Sequence, residues 1–183
     1  MTGCEAPGYP CLSMSDERSV VRVLFVCTGN TCRSPLAAAA LVSEMAGDLA
    51  GDPARLEILS VGTSAGEGQS VSRGSLEVAA QSGIDLSGHR ARRATPALAR
   101  SADLVLVMEP LHRVAIEALG APRERVHVLS EWPEPGDGDL PVSDPFGASI
   151  EAYEECWRRI LHHIRRVAPA VRTALKARDA SGS

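Results

Sequence analysis

Short apolar runs alternate with helical patterns over most of this chain, and that alternation limits its fold more than any other feature. Residues 20–26, 56–61, 104–108 and 126–129 are rich in Val, Leu and Ile and have strand length. Residues 20–26 carry β-branched residues and one phenylalanine, as expected of a strand covered on both faces. Between the runs lie helical patterns. Ser34 is placed to cap the first, with Pro35 in its opening turn, and that helix runs to about Ala46. Residues 72–82 form the second, closed by Gly83; Thr95-Pro96 opens a short third that ends near Ser101; residues 110–119 form a fourth, stopped by Gly120. This order predicts an α/β fold, a parallel sheet with helices on both faces, with the ligand site at the carboxyl ends of the strands.

A last amphipathic helix begins near Ala148 and shows Ile150, Tyr153, Trp157, Ile160 and Leu161 at helical spacing. Pro169 is expected to break it, leaving a short terminal helix to residue 178 and a disordered tail over 179–183. Residues 1–19 lack periodicity and read as a flexible leader, with Met14 a candidate start, so the expected domain spans 20–178. Residues 131–145 form a Pro/Gly/Asp-rich loop too long for a simple connector, and such loops are often functional.

Composition excludes several classes. With 183 residues and 44% apolar content, the chain can bury one substantial core. A net charge of −4 offers no basic face for nucleic acid or anionic membrane, and the cluster at 89–93 reads as a solvated surface. No apolar run approaches the ~18 residues of a membrane span, so a cytoplasmic protein is expected. Five cysteines, an odd number, do not resemble a secreted disulfide framework and suggest reduced thiols with a reactive member.

The chemistry gathers where the first strand meets the first helix, in Cys27-Thr28-Gly29-Asn30-Thr31-Cys32-Arg33-Ser34. Five residues between a cysteine and an arginine allow consecutive backbone N–H groups to curl around one anion, and Gly29 and Asn30 tolerate the positive φ angles that a curl needs. The following helix adds a dipole that favours both phosphate and thiolate, so Cys27 is expected to be ionised near neutrality. Arg33 supplies a planar fork for phosphoryl oxygens. A thiolate beneath a cradled phosphoryl group is a nucleophile, and the reaction then needs an acid for the leaving group. The strongest candidate is Asp144, in Ser143-Asp144-Pro145-Phe146-Gly147.

These two motifs, C-x5-R-S after the first strand and Asp-Pro over a hundred positions downstream, resemble the low-molecular-weight protein-tyrosine-phosphatase family over about residues 20–166. The resemblance implies a three-layer, flavodoxin-like sandwich around a four-stranded parallel sheet. It implies Cys27 as nucleophile through a phosphocysteine intermediate, Arg33 as phosphate binder and Asp144 as acid and then base. Residues Thr28, Gly29, Asn30, Thr31, Cys32 and Ser34 then form the substrate-binding loop, Ser34 donating to the thiolate, while Asn30, Ser60 and His89 brace it. The partners implied are phosphorylated proteins, and no cofactor is implied. Within the family the resemblance is to the protein arginine phosphatases, whose loop reads C-T-G-N-T-C-R-S and whose acid loop reads D-P-F-G. Thr31 stands where tyrosine-directed members usually have isoleucine, and a hydroxyl with a less aromatic rim suits a polar guanidinium better than a phenol.

Two readings fit Cys32 equally well: inert packing of the loop, or a redox partner of Cys27 that would call for an external thiol redox partner. Cys156, beside Trp157, reads as core. Two rival functions share parts of this pattern. Thr28-Gly29-Asn30-Thr31 also resembles a flavodoxin phosphate loop, but two Trp, two Tyr and two Phe leave few aromatics to stack on a flavin. Arsenate reductases share C-x5-R yet relay electrons through a later cysteine pair, and residues 33–155 contain no cysteine. Cys4 and Cys11 have a relay-like spacing but precede the first strand.

Overall fold

The computed structural model describes residues 20–134 and 141–181, so the expected leader with Cys4 and Cys11, the centre of the acidic loop and the last two residues lie outside the described residues. In chain order the described elements are β1 (Val21–Cys27), α1 (Arg33–Met45), β2 (Leu56–Gly62), α2 (Arg73–Gln81), α3 (Pro96–Ser101), β3 (Leu104–Val107), α4 (Pro110–Ala118), β4 (Val126–Val128) and α5 (Ile150–Ser181). All four strands are parallel in the order β2-β1-β3-β4. The chain therefore moves to one side after β1 and to the other after β2. The crevice at the carboxyl end of β1, next to β3, is the place where such a sheet opens to a ligand.

Alternation along β1 sends its side chains into two cores. Val21, Val23, Phe25 and Cys27 face a layer made by α1, α2 and α5, whereas Leu24 and Val26 face α3 and α4 with Ala99 and Ile116. The expected three-layer α/β sandwich is what forms. Thr95 caps α3 through its hydroxyl, which accepts the Leu98 N–H at 3.3 Å, and Gly83 and Gly120 end α2 and α4 at φ 74° and 94°.

Two expectations fail for physical reasons. Ser34 does not cap α1: the helix starts two residues earlier than that cap requires, at Arg33, Cys32 occupies the capping position without a capping bond from its side chain, and the Ser34 hydroxyl turns inward. Pro35 still costs nothing, since it falls among the first N–H groups that have no partner in any helix. Pro169 does not break α5, which continues to Ser181, past the point where a tail was expected. An internal proline costs ~3 kcal/mol. Beyond and around it, Val167, Val171 and Leu175 are buried, each contributing ~1.5–3 kcal/mol. The far end is pinned as well. Asp103, itself buried, accepts Arg178 Nη2 at 2.9 Å and the Arg22 backbone N–H at 2.9 Å, while Arg178 Nη1 donates to the Val20 carbonyl at 2.5 Å. No helix among the described residues is long and apolar enough to cross a membrane.

Candidate active site

β1 ends at Cys27, and after five intervening residues α1 begins at Arg33, so the loop between them is suspended from the carboxyl end of the central strand. Its neighbour on β2 is Gly62, in register with Cys27. A β-carbon there would come within 2.5 Å of the Thr28 carbonyl oxygen and 2.9 Å of the Asn30 nitrogen, so the loop lies where only glycine leaves room. The chain just beyond β2 grips it further, Thr63 N–H donating to the Cys27 carbonyl and Ser64 N–H to the Thr28 carbonyl, both at 2.9 Å.

Asn30 turns the loop. It adopts φ 55°, a left-handed conformation that asparagine accepts more readily than most residues, and its side chain is completely buried. Its Nδ2 donates to Ser34 Oγ at 2.9 Å and to Ser60 Oγ at 3.0 Å, and its Oδ1 accepts the Arg92 N–H at 2.9 Å. The Asn30 carbonyl accepts from His89 Nε2 at 2.9 Å, which places the ring proton on that nitrogen. Burial holds the His89 pKa below its usual value, and the nearby Arg92 and Arg90 guanidiniums add to this against the Asn30 bond. The neutral ring that results is the one that donates here. The basic cluster at 89–93 thus serves in part as a brace, since Arg92 Nε also donates to the Ser60 carbonyl at 3.0 Å.

This brace presents donors to Cys27. The Asn30 N–H donates to Cys27 Sγ at 3.2 Å, and Ser34 Oγ lies 3.0 Å from the sulfur and 3.2 Å from the Val61 carbonyl. Cys32 stays a free thiol and donates to Ser72 Oγ at 3.1 Å, with the Tyr153 hydroxyl 3.9 Å away. Cys156 is buried in the core, and burial pushes its thiol up to about 12, so it is inert at neutral pH.

Arg33 is only 1% exposed, and burying a guanidinium demands counter-charge. Asp144 supplies it, 2.5 Å from Nη2, so two motifs over a hundred positions apart in sequence meet at one side chain. A second carboxylate, Glu109, lies 3.2 Å from Nη1, and sequence reasoning missed it. Next to it His112 is fully buried, with Nε2 2.9 Å from Thr28 Oγ1 and 3.8 Å from Glu109. Burial and the Arg33 charge lower its pKa, opposed by Glu109 and Asp144. The signal for both residues was positional: Glu109 follows β3 at the same carboxyl edge of the sheet, and His112 sits one turn into α4. Arg33 Nε is buried and has no hydrogen-bond partner among the described residues. Buried donors are seldom left so, and this one belongs to a side chain that lines the pocket.

The pocket over Cys27 has a volume of about 230 Å³. It is lined by Thr28, Gly29, Thr31 and Cys32 of the loop together with Asp144, Phe146 and Gln69. Asn30 and Ser34, expected among the substrate contacts, lie beneath it as supports, and Ser60 and His89 lie further back. Phe146, 71% exposed, is the aromatic of the rim, and its N–H donates to Asp144 Oδ1 at 3.1 Å. Among the described residues no cluster of His, Cys, Asp and Glu could hold a metal ion.

Comparison with known proteins agrees with this geometry. The family model described as low molecular weight phosphotyrosine protein phosphatase matches residues 22–178. The protein-arginine-phosphatase of Geobacillus stearothermophilus is 34% identical over 153 residues, covering 83% of this chain and 97% of its own. A probable low molecular weight protein-tyrosine-phosphatase, EpsP, of Ralstonia nicotianae is 32% identical over 151 residues, covering 82% and 95%. Among solved structures, the YwlE arginine phosphatase of Geobacillus stearothermophilus superposes with a TM-score of 0.72 at 32% identity, over 84% of this chain and 94% of that one. The tyrosine phosphatase Wzb of Escherichia coli K30 in complex with sulphate gives 0.71 at 28% identity, over 83% and 99%. A thiol at the end of a central parallel strand, a loop curled toward it and an arginine shared with a distant Asp-Pro carboxylate are thus held on a fold common to these hydrolases, and the chain belongs to the low molecular weight phosphotyrosine protein phosphatase family.

Proposed function

We propose that this protein is a cysteine-dependent phosphatase that removes the phosphoryl group from phosphoarginine in proteins. The observation that carries the mechanism is the placement of Cys27 Sγ against the Asn30 N–H and the Ser34 hydroxyl, at the floor of a pocket that Arg33 and Asp144 also line. Donors on the sulfur favour its anionic form, and the start of α1 adds to them. The thiolate attacks phosphorus, the P–N bond breaks, and the departing guanidine nitrogen takes a proton from Asp144. Asp144, now a carboxylate, accepts a proton from water as that water attacks the phosphocysteine, which releases phosphate and restores the thiolate. Arg33 and the loop N–H groups carry the charge spread over the equatorial oxygens.

The choice of phosphoarginine rests on Thr31, whose side chain lines the pocket with its hydroxyl 3.7 Å from Cys32 Sγ, and on a rim with one aromatic residue. The competing reading, phosphotyrosine, is favoured by Phe146, whose exposed ring could stack on a phenol. Comparing kcat/KM for matched phosphoarginine and phosphotyrosine peptides separates the two. Thr31→Ile exchanges a hydroxyl for an ethyl group at unchanged β-branching. It is expected to lower kcat/KM for phosphoarginine at least ~10-fold, while phosphotyrosine hydrolysis stays equal or rises. A wild type that prefers phosphotyrosine, or a variant that loses both reactions alike, rejects the phosphoarginine reading.

A further inference from the structure

The segment between β2 and α2 reaches the pocket through a single side chain, Gln69, which the catalytic chemistry does not use. Its backbone is tied on both sides. Gly68 N–H donates to the Ala91 carbonyl and Ala91 N–H donates to the Gln69 carbonyl, each at 2.8 Å. Three residues on, Ser72 N–H donates to the Thr31 carbonyl at 2.9 Å. The first tie joins Gln69 to the strip that braces Asn30, and the second joins it to the pocket loop. The Gln69 α-carbon is therefore held in fixed relation to the phosphate cradle.

The side chain is placed with equal care. It lies across Gly66, where a β-carbon would come within 2.7 Å of the Gln69 carboxamide carbon, so the residue beneath must be small for the amide to rest there. Among the described residues the carboxamide makes no hydrogen bond, which leaves its oxygen free to accept one from a ligand in the pocket that Gln69 lines. Thr31, Gln69 and Phe146 line the same pocket as Cys27 and Arg33 without being needed for the phosphoryl chemistry.

We propose that Gln69 determines substrate specificity: its carboxamide oxygen accepts an N–H from the guanidinium of phosphoarginine, and this rests on the function proposed above. A guanidinium carries N–H groups around its edge in the plane of the group, whereas the edge of a phenol ring carries only C–H. A phosphotyrosine ring seated here would cover the amide without satisfying it, and sites discriminate strongly through polar groups left unpaired.

The test is the pair Gln69→Leu and Gln69→Glu, assayed on matched phosphoarginine and phosphotyrosine peptides and with inorganic vanadate as a probe of the cradle. Gln69 is exposed and its ties are backbone bonds, so both variants are expected to keep the wild-type melting temperature. Gln69→Leu should lower kcat/KM for phosphoarginine about 5- to 10-fold, mainly through KM, while phosphotyrosine stays within about 2-fold and vanadate inhibits as before. Gln69→Glu keeps an acceptor and should preserve the wild-type ratio of the two substrates. A wild type that prefers phosphoarginine but shows no change in that ratio on Gln69→Leu overturns the role of Gln69 alone. Loss of both substrates together with weakened vanadate inhibition overturns it too, by showing a damaged cradle. A wild type that prefers phosphotyrosine overturns the phosphoarginine reading and this role with it.

Discussion

Replacing Asn30 asks how much of the cradle depends on one side chain, and glycine and alanine at that position separate two costs. The carboxamide makes three hydrogen bonds inside the protein, to Ser34, Ser60 and the Arg92 backbone. At ~1 kcal/mol net for each, either substitution loses about 3 kcal/mol. Alanine also has to hold φ 55°, which costs a residue with a β-carbon ~1–2 kcal/mol. Glycine avoids that strain but gives up ~0.5–1 kcal/mol of backbone entropy instead. Asn30→Ala is thus expected to lose about 4–5 kcal/mol and Asn30→Gly somewhat under 4, a serious loss for a domain whose total stability is ~5–15 kcal/mol. Urea unfolding followed by fluorescence suits the measurement, because Trp132 and Trp157 are both buried. Activity should fall at least ~10-fold in either variant, since Ser34 is no longer held against the thiol. An alanine variant within ~1 kcal/mol of wild type, or one as stable as the glycine variant, would refute the argument that Asn30 both turns and ties the loop.

Asp144→Asn should lower kcat by ~10²-fold on substrates with poor leaving groups and much less on an activated aryl phosphate; equal losses on both would reject the acid role. Its stability should change by under ~1 kcal/mol, because the side chain is 42% exposed and Glu109 remains on Arg33. His89, His112 and His127 all have pKa values lowered from 6.5, with burial the largest cause. Below about 6.5 the unfolded chain takes up protons that the folded chain refuses, so their stabilisation is complete above neutrality and is lost as pH falls toward the folded values. The melting temperature should accordingly drop between pH 7.5 and 5.5, and a flat or rising profile would contradict that sign.

Element positions were readable because the strands are short and apolar and the helices are bounded by Gly, Pro or a capping residue, as Thr95, Gly83 and Gly120 show. The end of the chain was not. Pro169 is a local signal, and local signals lose to burial when Val167, Val171 and Leu175 lie on the same helix and Arg178 closes on Asp103. Ser34 misled for a related reason: a serine at a helix start normally caps it, but here the sulfur of Cys27 and the Val61 carbonyl compete for the hydroxyl. The loop and Asp144 could be found from spacing because their chemistry needs fixed residue types. Glu109 and His112 come from the start of α4 and Gln69 from the segment between β2 and α2, and only the sheet order brings these two segments to one edge.

That convergence gives the two carboxylates on Arg33 different tasks. Glu109 occupies the capping position of α4, with His112 one turn along locked to Thr28, so it is held by a helix and by the loop at once. Asp144 lies in an irregular stretch that Gly147 ends with φ 76°, and among the described residues its other oxygen accepts only the nearby Phe146 N–H. On the proposed reaction, a phosphoryl group over Cys27 takes Arg33 Nε, which has no partner among the described residues, together with Nη2, where Asp144 now sits. Glu109 and the Val142 carbonyl keep Nη1 and with it the plane of the guanidinium. On that reaction, substrate binding releases the carboxylate outside the regular elements and leaves the one at the start of α4 in place. The released group is the one that must turn to the leaving nitrogen. If both carboxylates sat on rigid elements, the acid would stay paired with Arg33 throughout; if neither did, binding would carry the buried guanidinium away from the phosphorus.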